Sequence, residues 1–370
     1  MYLASISKIN EFNRLIEKKK FNKIFLITGK NSFYKSNANL FFKFSKNKLI
    51  KYYFKKSKLP DYNELNIILN EVNRFKPDII LAIGGGSVID YAKITSIINF
   101  NSLKNLKKKL INYENISKKK IYPLIAIPTT AGSGAEVTSN AVIYINKVKY
   151  SVENLLLLPD HYFLFTNLII KNPVLLKSSA GFDAIAQSVE SLISMKSNKT
   201  SVSYAKKSLK LSLNNYLSFL KNPNNENSKK MLIASNLAGK AINISKTTAP
   251  HAISYPFSSL FGISHGHAVS LTFEKFLLFN FKNLNKSQSA FNLNQRYKII
   301  FELFKVKSIN EFNNKIKFFK KEANLNDSFQ RLGININSSM NKILSQTNTL
   351  RLKNNPIIIN KNDIRKILND

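Results

Sequence analysis

The chain of 370 residues contains no cysteine. That excludes disulfides, thiolate metal ligands and cysteine nucleophiles, so a metal would have to sit on histidine, carboxylate or amide groups. Acidic residues are scarce as well: 21 Asp and Glu stand against 57 Lys and Arg, for a formal net charge of +36. Long apolar runs are missing, and none approaches the roughly 18–20 residues that span a bilayer. The opening MYLASISKINEFNRLIEKKK scatters charges where a signal peptide needs an apolar stretch, so a cytoplasmic protein with no membrane partner is expected. Histidine is rare, with four in the chain.

Apolar residues make up 44% of the sequence, enough to bury sizeable cores. At roughly 100–200 residues per domain, the length predicts about two domains. The basic excess invites a nucleic-acid reading. Lysine is spread along the whole chain, however, together with abundant Asn and Ile, as an AT-rich coding sequence produces. A nucleic-acid face would cluster its basic residues and interleave aromatics. The expected consequence of the charge is weaker and more general: anionic ligands are drawn in at rates that fall with added salt.

Short β-rich runs alternate with helical patterns in the first half. KIFLIT (23–28), LIKYYF (49–54), IILAIG (79–84) and PLIAIP (123–128) read as strands, and 61–75 reads as a helix by its apolar spacing. Continuous apolar strands separated by helices predict a parallel sheet covered on both faces. After about residue 170 the texture changes. Pro173 reads as a first-turn proline, and helical patterns follow over 184–193, 204–220, 230–244 and 267–281. The Asn- and Lys-rich tail beyond about residue 285 keeps apolar helical spacing and is expected to fold. The fold class is therefore α/β followed by all-α: a Rossmann-like parallel-sheet domain over 1–165, then a helical domain over 166–370.

Four motifs carry chemistry. GGGSVIDYAK (84–93) places glycines at the end of a strand, where backbone can approach a diphosphate and the next helix offers free N–H groups. Its spacing is not G-x-G-x-x-G. IPTTAGSGAEVTSNAVI (127–143) ends another strand in Thr129 and Thr130, at the same sheet edge. AGFDAIAQSVES (180–191) sets Asp183 and Gln187 four apart, on one helix face. Three of the four histidines, His251, His265 and His267, then fall within TTAPHAISYPFSSLFGISHGHAVSL, a concentration that points to metal ligation. Taken singly, each motif is also compatible with a structural role.

In combination they resemble one family. GGGS-x-x-D-x-A-K, then P-T-T-A-G-S-G-A-E, then G-x-D-A-x-x-x-x-x-E, then H-x(13)-H-G is similar to the iron-containing (group III) alcohol dehydrogenases, in order and over nearly the whole chain. The resemblance implies an N-terminal dinucleotide-binding domain and a C-terminal helical domain, with metal and substrate in the cleft. It implies the metal ligands Asp183, Gln187, His251 and His265 for one divalent ion, Fe2+ or else Zn2+ or Mn2+. It also implies cofactor contacts at Gly85, Gly86, Ser87, Asp90, Thr129, Thr130 and Lys149, and self-association into a homo-oligomer. The typical member has His at the position of Gln187, many have His at that of Tyr255, and many have Pro at that of Ser264. Members that prefer NAD carry Asp after the first strand. Here Gly29, Lys30 and Ser32 occupy that turn and would tolerate a 2′-phosphate, so NADP(H) is expected over NAD(H).

A narrower resemblance is carried by TGKNSFYKS (28–36), by the Gln of AIAQSVES, and by LAGKAINISKTTAPHAISYPFSSLFGISHGHAVSL. These look like the phosphonoacetaldehyde reductase branch, which implies reduction of a small anionic aldehyde, phosphonoacetaldehyde, to 2-hydroxyethylphosphonate. Lys246, Thr247 and Thr248 are then candidates for holding the anionic group. Proton return to the alkoxide is expected from water, the cofactor ribose, Tyr255 or His267. The competing readings are a general short-chain alcohol dehydrogenase of the same family, a dehydroquinate synthase-like lyase, and a basic nucleic-acid binder.

Overall fold

The computed structural model describes residues 6–98, 105–112, 114, 116–347 and 349–369. The chain divides into two units, Met1–Asn172 and Pro173–Asp370. The first is built on strands β1 (Lys23–Gly29), β2 (Leu49–Lys55), β3 (Ile79–Gly84), β4 (Leu124–Pro128) and β7 (His161–Tyr162), which pair in the order β2-β1-β3-β4-β7. All four pairings are parallel.

The sheet is buried on both faces, which explains the unbroken apolar strands. Side chains alternate along β1: Phe25 and Ile27 enter one core with Leu65, Ile68 and Leu69, while Ile24 and Leu26 enter the other with Phe12, Ile125 and Ile127. At about 1.5–3 kcal/mol for each fully buried aliphatic or aromatic side chain, these two layers supply most of the drive to fold the unit. The helix Tyr62–Phe75 covers the first layer, with Leu65, Ile68, Leu69 and Val72 at helical spacing. Asp61 caps it by accepting from the backbone N–H of Asn63 at 2.8 Å.

Several elements of this unit escape the sequence pattern, among them a helix and a hairpin. The helix Ile9–Lys18 packs Phe12 and Ile16 against the second layer. Strands β5 (Asn140–Ile145) and β6 (Val148–Glu153) form a separate antiparallel hairpin. Its turn puts Asn146 and Lys147 at φ 51° and 65°, a conformation normally advertised by glycine. With Lys in the second place, the signal is absent.

Beyond Pro173, the described residues outside short turns are almost wholly helical. The helix expected to begin at Ala184 begins ten residues earlier and runs Val174–Ile193, with Pro173 one residue ahead of it. The patterns over 204–220 and 230–244 lie inside the helices Lys199–Lys221 and Asn225–Ser245. The run expected over 267–281 is instead two helices, His265–Ser270 and Phe273–Lys282, separated at Leu271 and Thr272. Ala249–Phe261 is helical despite Pro256 in its interior, a residue that masks a helix to any reading from sequence. Among its described residues, the Asn- and Lys-rich tail carries five further helices between Leu293 and Asn369. No helix among the described residues is long and apolar enough to cross a membrane.

Glycine at the end of β3 is a packing requirement. A Cβ on Gly84 would lie 2.6 Å from Val88 in the helix Gly86–Ile97, so strand and helix could not keep their present separation. Gly84→Ala should therefore destabilise the protein by about 2 kcal/mol in thermal unfolding. A variant melting with the parent would show that the turn has room to relax.

Candidate metal centre

Within the first unit, three strand ends converge. Thr28 of β1 pairs beside Ile83 of β3, and Gly84 of β3 pairs beside Pro128 of β4. This brings Gly29 with the start of the helix Lys30–Lys35, Gly85 with the start of the helix Gly86–Ile97, and Thr129–Thr130 to one carboxyl edge of the sheet. The chain steps from β1 to β2 on one side and to β3 on the other, so the edge lies at a reversal of strand order, where open α/β sheets bind ligands. Gly85 caps the helix Gly86–Ile97, whose N-terminal N–H groups and dipole favour an anion. A Cβ on Gly86 would meet Ser133 Oγ at 3.0 Å, and one on Gly85 would meet Thr130 at 3.5 Å, so the two motifs are in contact. Ser32 Oγ donates to the Gly29 carbonyl at 3.0 Å.

Asp90 and Lys149, distant in sequence, come together here. Burial pushes the Asp90 carboxyl up to about 6, against the opposing pull of Lys93 and Lys149. Lys93 is fully buried and donates to Thr138 Oγ1 at 2.8 Å and to the Asn140 carbonyl at 2.9 Å. The helix after the glycine turn is thereby tied to the hairpin that carries Lys149.

The second unit holds the histidine cluster. Asp183 and Gln187 stand one turn apart on the helix Val174–Ile193, both buried. His251 lies in the first turn of the helix Ala249–Phe261, and His265 opens the helix His265–Ser270. His251 Nε2 is 3.1 Å from Asp183 Oδ1, and His265 Nε2 is 3.9 Å from the same oxygen. One ligand atom from each of the three residues lies within 4.8 Å of the other two. Burial opposes ionisation of Asp183, but His265, His251 and the Gln187 amide outweigh it and hold the carboxyl below the usual carboxylate range. Burial also works against a charged His251, yet Glu190 and Asp183 prevail and push it up to about 9.

One close approach builds this cluster. A Cβ on Gly266 would fall 1.9 Å from the Ser179 carbonyl and 2.9 Å from Asp183 Cβ, so only glycine lets the His265 helix lie against the Asp183 helix. Ser179 Oγ fastens the same junction, accepting from Ser264 Oγ at 2.9 Å and from the His267 N–H at 3.1 Å.

The residues present suit a divalent ion. Two imidazoles and an ionised carboxylate are borderline and hard donors of the kind that zinc, iron and manganese accept, and they converge with Asp183 and His251 buried and His265 half-buried. Gln187 is next to Asp183 and within its hydrogen-bonding reach. Tyr255 stacks on His265, with ring centroids 5.8 Å apart and planes at 19°. The other expected residues divide. His267 Nε2 lies 2.7 Å from the Asn326 carbonyl, so that nitrogen is engaged with backbone. Thr248 is fully buried and directs its hydroxyl to Glu190 Oε2 at 2.9 Å. Lys246 ends its helix at φ 60°, and Thr247 bonds to Tyr255.

Comparison with known proteins agrees with the geometry. Residues 2–166 match the model described as "Iron-containing alcohol dehydrogenase", and residues 177–370 match "Fe-containing alcohol dehydrogenase family, C-terminal". The chain belongs to the iron-containing alcohol dehydrogenase family. Among curated relatives, the bifunctional aldehyde-alcohol dehydrogenase of Escherichia coli is 30% identical over 234 residues, covering 60% of this chain and 26% of that protein. The match therefore spans about a quarter of that much longer relative. The 4-hydroxybutyrate dehydrogenase of Clostridium kluyveri is 30% identical over 233 residues, 61% of each chain. Among solved structures, the sulfoacetaldehyde reductase of Bifidobacterium kashiwanohense, in complex with NAD+, superposes with a TM-score of 0.85 at 22% identity, covering 100% of this chain and 98% of that one. At that identity the likeness is one of fold.

Two residues with roles at the centre went unassigned in the sequence. Glu190 is seven residues after Asp183, hence on the same helix face, and that spacing is the signal that could have found it. Arg351 acts electrostatically on Tyr255 from almost a hundred residues away, with no local signal at all. The Gly266 junction gives a direct test. Gly266→Ala should lower stability by about 3 kcal/mol and weaken divalent-metal binding at the same time. A variant with the parent's melting point and metal content would contradict the packing described.

Proposed function

We propose that the chain is a metal- and nicotinamide-dependent alcohol dehydrogenase working as an aldehyde reductase, with phosphonoacetaldehyde as its substrate and 2-hydroxyethylphosphonate as its product. The observation that carries the reading is the convergence of the buried Asp183 and His251 with the half-buried His265, their ligand atoms within 4.8 Å, in a member of this family. Asp183, Gln187, His251 and His265 would hold the metal. Gly85, Gly86, Ser87, Thr129 and Thr130 would cradle the cofactor's phosphates, with Asp90 and Lys149 beside them.

When bound, the divalent ion supplies Lewis acidity to the aldehyde oxygen and the nicotinamide supplies the hydride. The chain's part is positioning, charge and protons. Asp183 stays ionised because the imidazoles outweigh its burial. Burial and the neighbouring carboxylates of Glu190 and Asp183 push the Tyr255 phenol up to about 12 despite Arg351, so it keeps its proton at Oη near neutral pH. Stacked on His265, it is the better placed of the two candidate donors, because His267 Nε2 is committed to Asn326.

The anionic substrate rests on the narrower sequence resemblance, including Gln187, and on Thr247, which bonds to Tyr255 and follows Lys246 in the chain. The sulfoacetaldehyde reductase of similar fold is named for another two-carbon aldehyde bearing an anionic group. For the cofactor, the start of the helix Lys30–Lys35 after β1 presents an exposed Lys30 and a half-buried Ser32 with no carboxylate, which favours NADP(H).

The test follows NADPH and NADH consumption by protein loaded separately with Fe2+, Zn2+ and Mn2+, against phosphonoacetaldehyde, propanal and other small aldehydes. Phosphonoacetaldehyde should exceed propanal by about 100-fold in kcat/KM, the worth of a charge-assisted contact of about 3 kcal/mol. His265→Ala should lose metal and turnover together. Equal use of propanal would leave a general aldehyde reductase and remove the narrower substrate. Full turnover by metal-free His265→Ala would overturn the metal-dependent reading.

A further inference from the structure

The His251 imidazole has a partner at each nitrogen, and the second one is no ligand. Nε2 faces Asp183 Oδ1 at 3.1 Å, while Nδ1 faces Glu190 Oε1 at 2.5 Å. Glu190 is fully buried, as is Thr248, whose backbone N–H and hydroxyl both donate to Glu190 Oε2, at 2.7 and 2.9 Å. Its two oxygens are thus divided: Oε2 takes both Thr248 donors, and Oε1 is left for the imidazole. Thr248 is the N-cap of the helix that bears His251 three residues on. One carboxylate therefore fixes both the backbone start of that helix and the ring it carries.

We propose that Glu190 is the positioning residue of the metal centre: it holds a proton of His251 on Nδ1, so that Nε2 is the nitrogen left to offer its lone pair to the ion that Asp183 shares. This deepens the metal reading above and rests on it. The physical argument is one of tautomers. A neutral imidazole has one N–H and one lone pair, and the ring presents its lone pair opposite whichever nitrogen donates. Without Glu190, either nitrogen can carry the proton and the ring can turn about its Cβ–Cγ bond. With it, a single tautomer and a single ring plane face the ion. Outer partners of this kind commonly govern affinity by 10- to 100-fold or so.

Glutamine cannot replace Glu190. If its carbonyl accepts from His251 Nδ1, its NH2 faces the Thr248 N–H, donor against donor; if flipped, NH2 faces Nδ1 and selects the wrong tautomer. Aspartate keeps the charge but is one methylene short of the ring.

The experiment measures Zn2+ dissociation by chelator competition in the parent, Glu190→Gln and Glu190→Asp, together with the thermal midpoint of each apoprotein and the visible spectrum of each Co2+-loaded form. The expected result is a Zn2+ Kd raised about 10- to 100-fold in Glu190→Gln. Glu190→Asp should show a smaller rise, and the Co2+ bands of both variants should shift. If both bind Zn2+ within twofold of the parent with an unchanged Co2+ spectrum, Glu190 is only the cap of the Thr248 turn and the proposal is overturned. Failure of both variants to fold overturns it too, by making Glu190 a requirement of the fold. A parent chain that binds no Zn2+ contradicts the metal reading itself, a distinct outcome.

Discussion

His251 is gripped at both ring nitrogens by carboxylates from a single helix, both of them buried. Much of the second unit serves that grip. The helix Val174–Ile193 delivers Asp183, Gln187 and Glu190 along one face. The turn at Thr248 starts the ligand-bearing helix against Glu190, and Gly266 lets His265 approach from a third direction. Burying two carboxylates costs much unless each is matched by donors, and here they are: His251 serves both, and Thr248 serves Glu190 twice.

Farther out, the C-terminal segment closes the same region from behind. Asn354 donates to Ser194 Oγ, to the Ser245 carbonyl and to the Thr247 carbonyl, at 2.8, 2.8 and 2.9 Å. A single buried amide thus ties the end of the Asp183 helix to the segment leading into Thr248. Such a connection joins residues more than a hundred apart and leaves no periodic trace in the sequence.

That contrast explains what could be read in advance. The parallel sheet was legible because its strands are buried on both faces and therefore unbroken, as in IILAIG and PLIAIP. The helical second half was legible from spacing in runs such as Lys199–Lys221. The ligand cluster was suggested by rarity, since three of four histidines share one segment. The helix over 249–261 was hidden by Pro256, and the hairpin by a turn built from Asn146 and Lys147. Glu190 stood at the end of a motif without an assigned role, because only tertiary packing places His251 against it.

The central claim is that Asp183, His251 and His265 share one divalent ion, and X-ray absorption spectroscopy of the Zn2+-loaded protein tests it most directly. One tightly bound ion per chain, with two imidazoles at about 2.0–2.1 Å and oxygen donors completing the shell, is the predicted result. An ion with no imidazole in its shell, or none bound at stoichiometric Zn2+, would contradict the account.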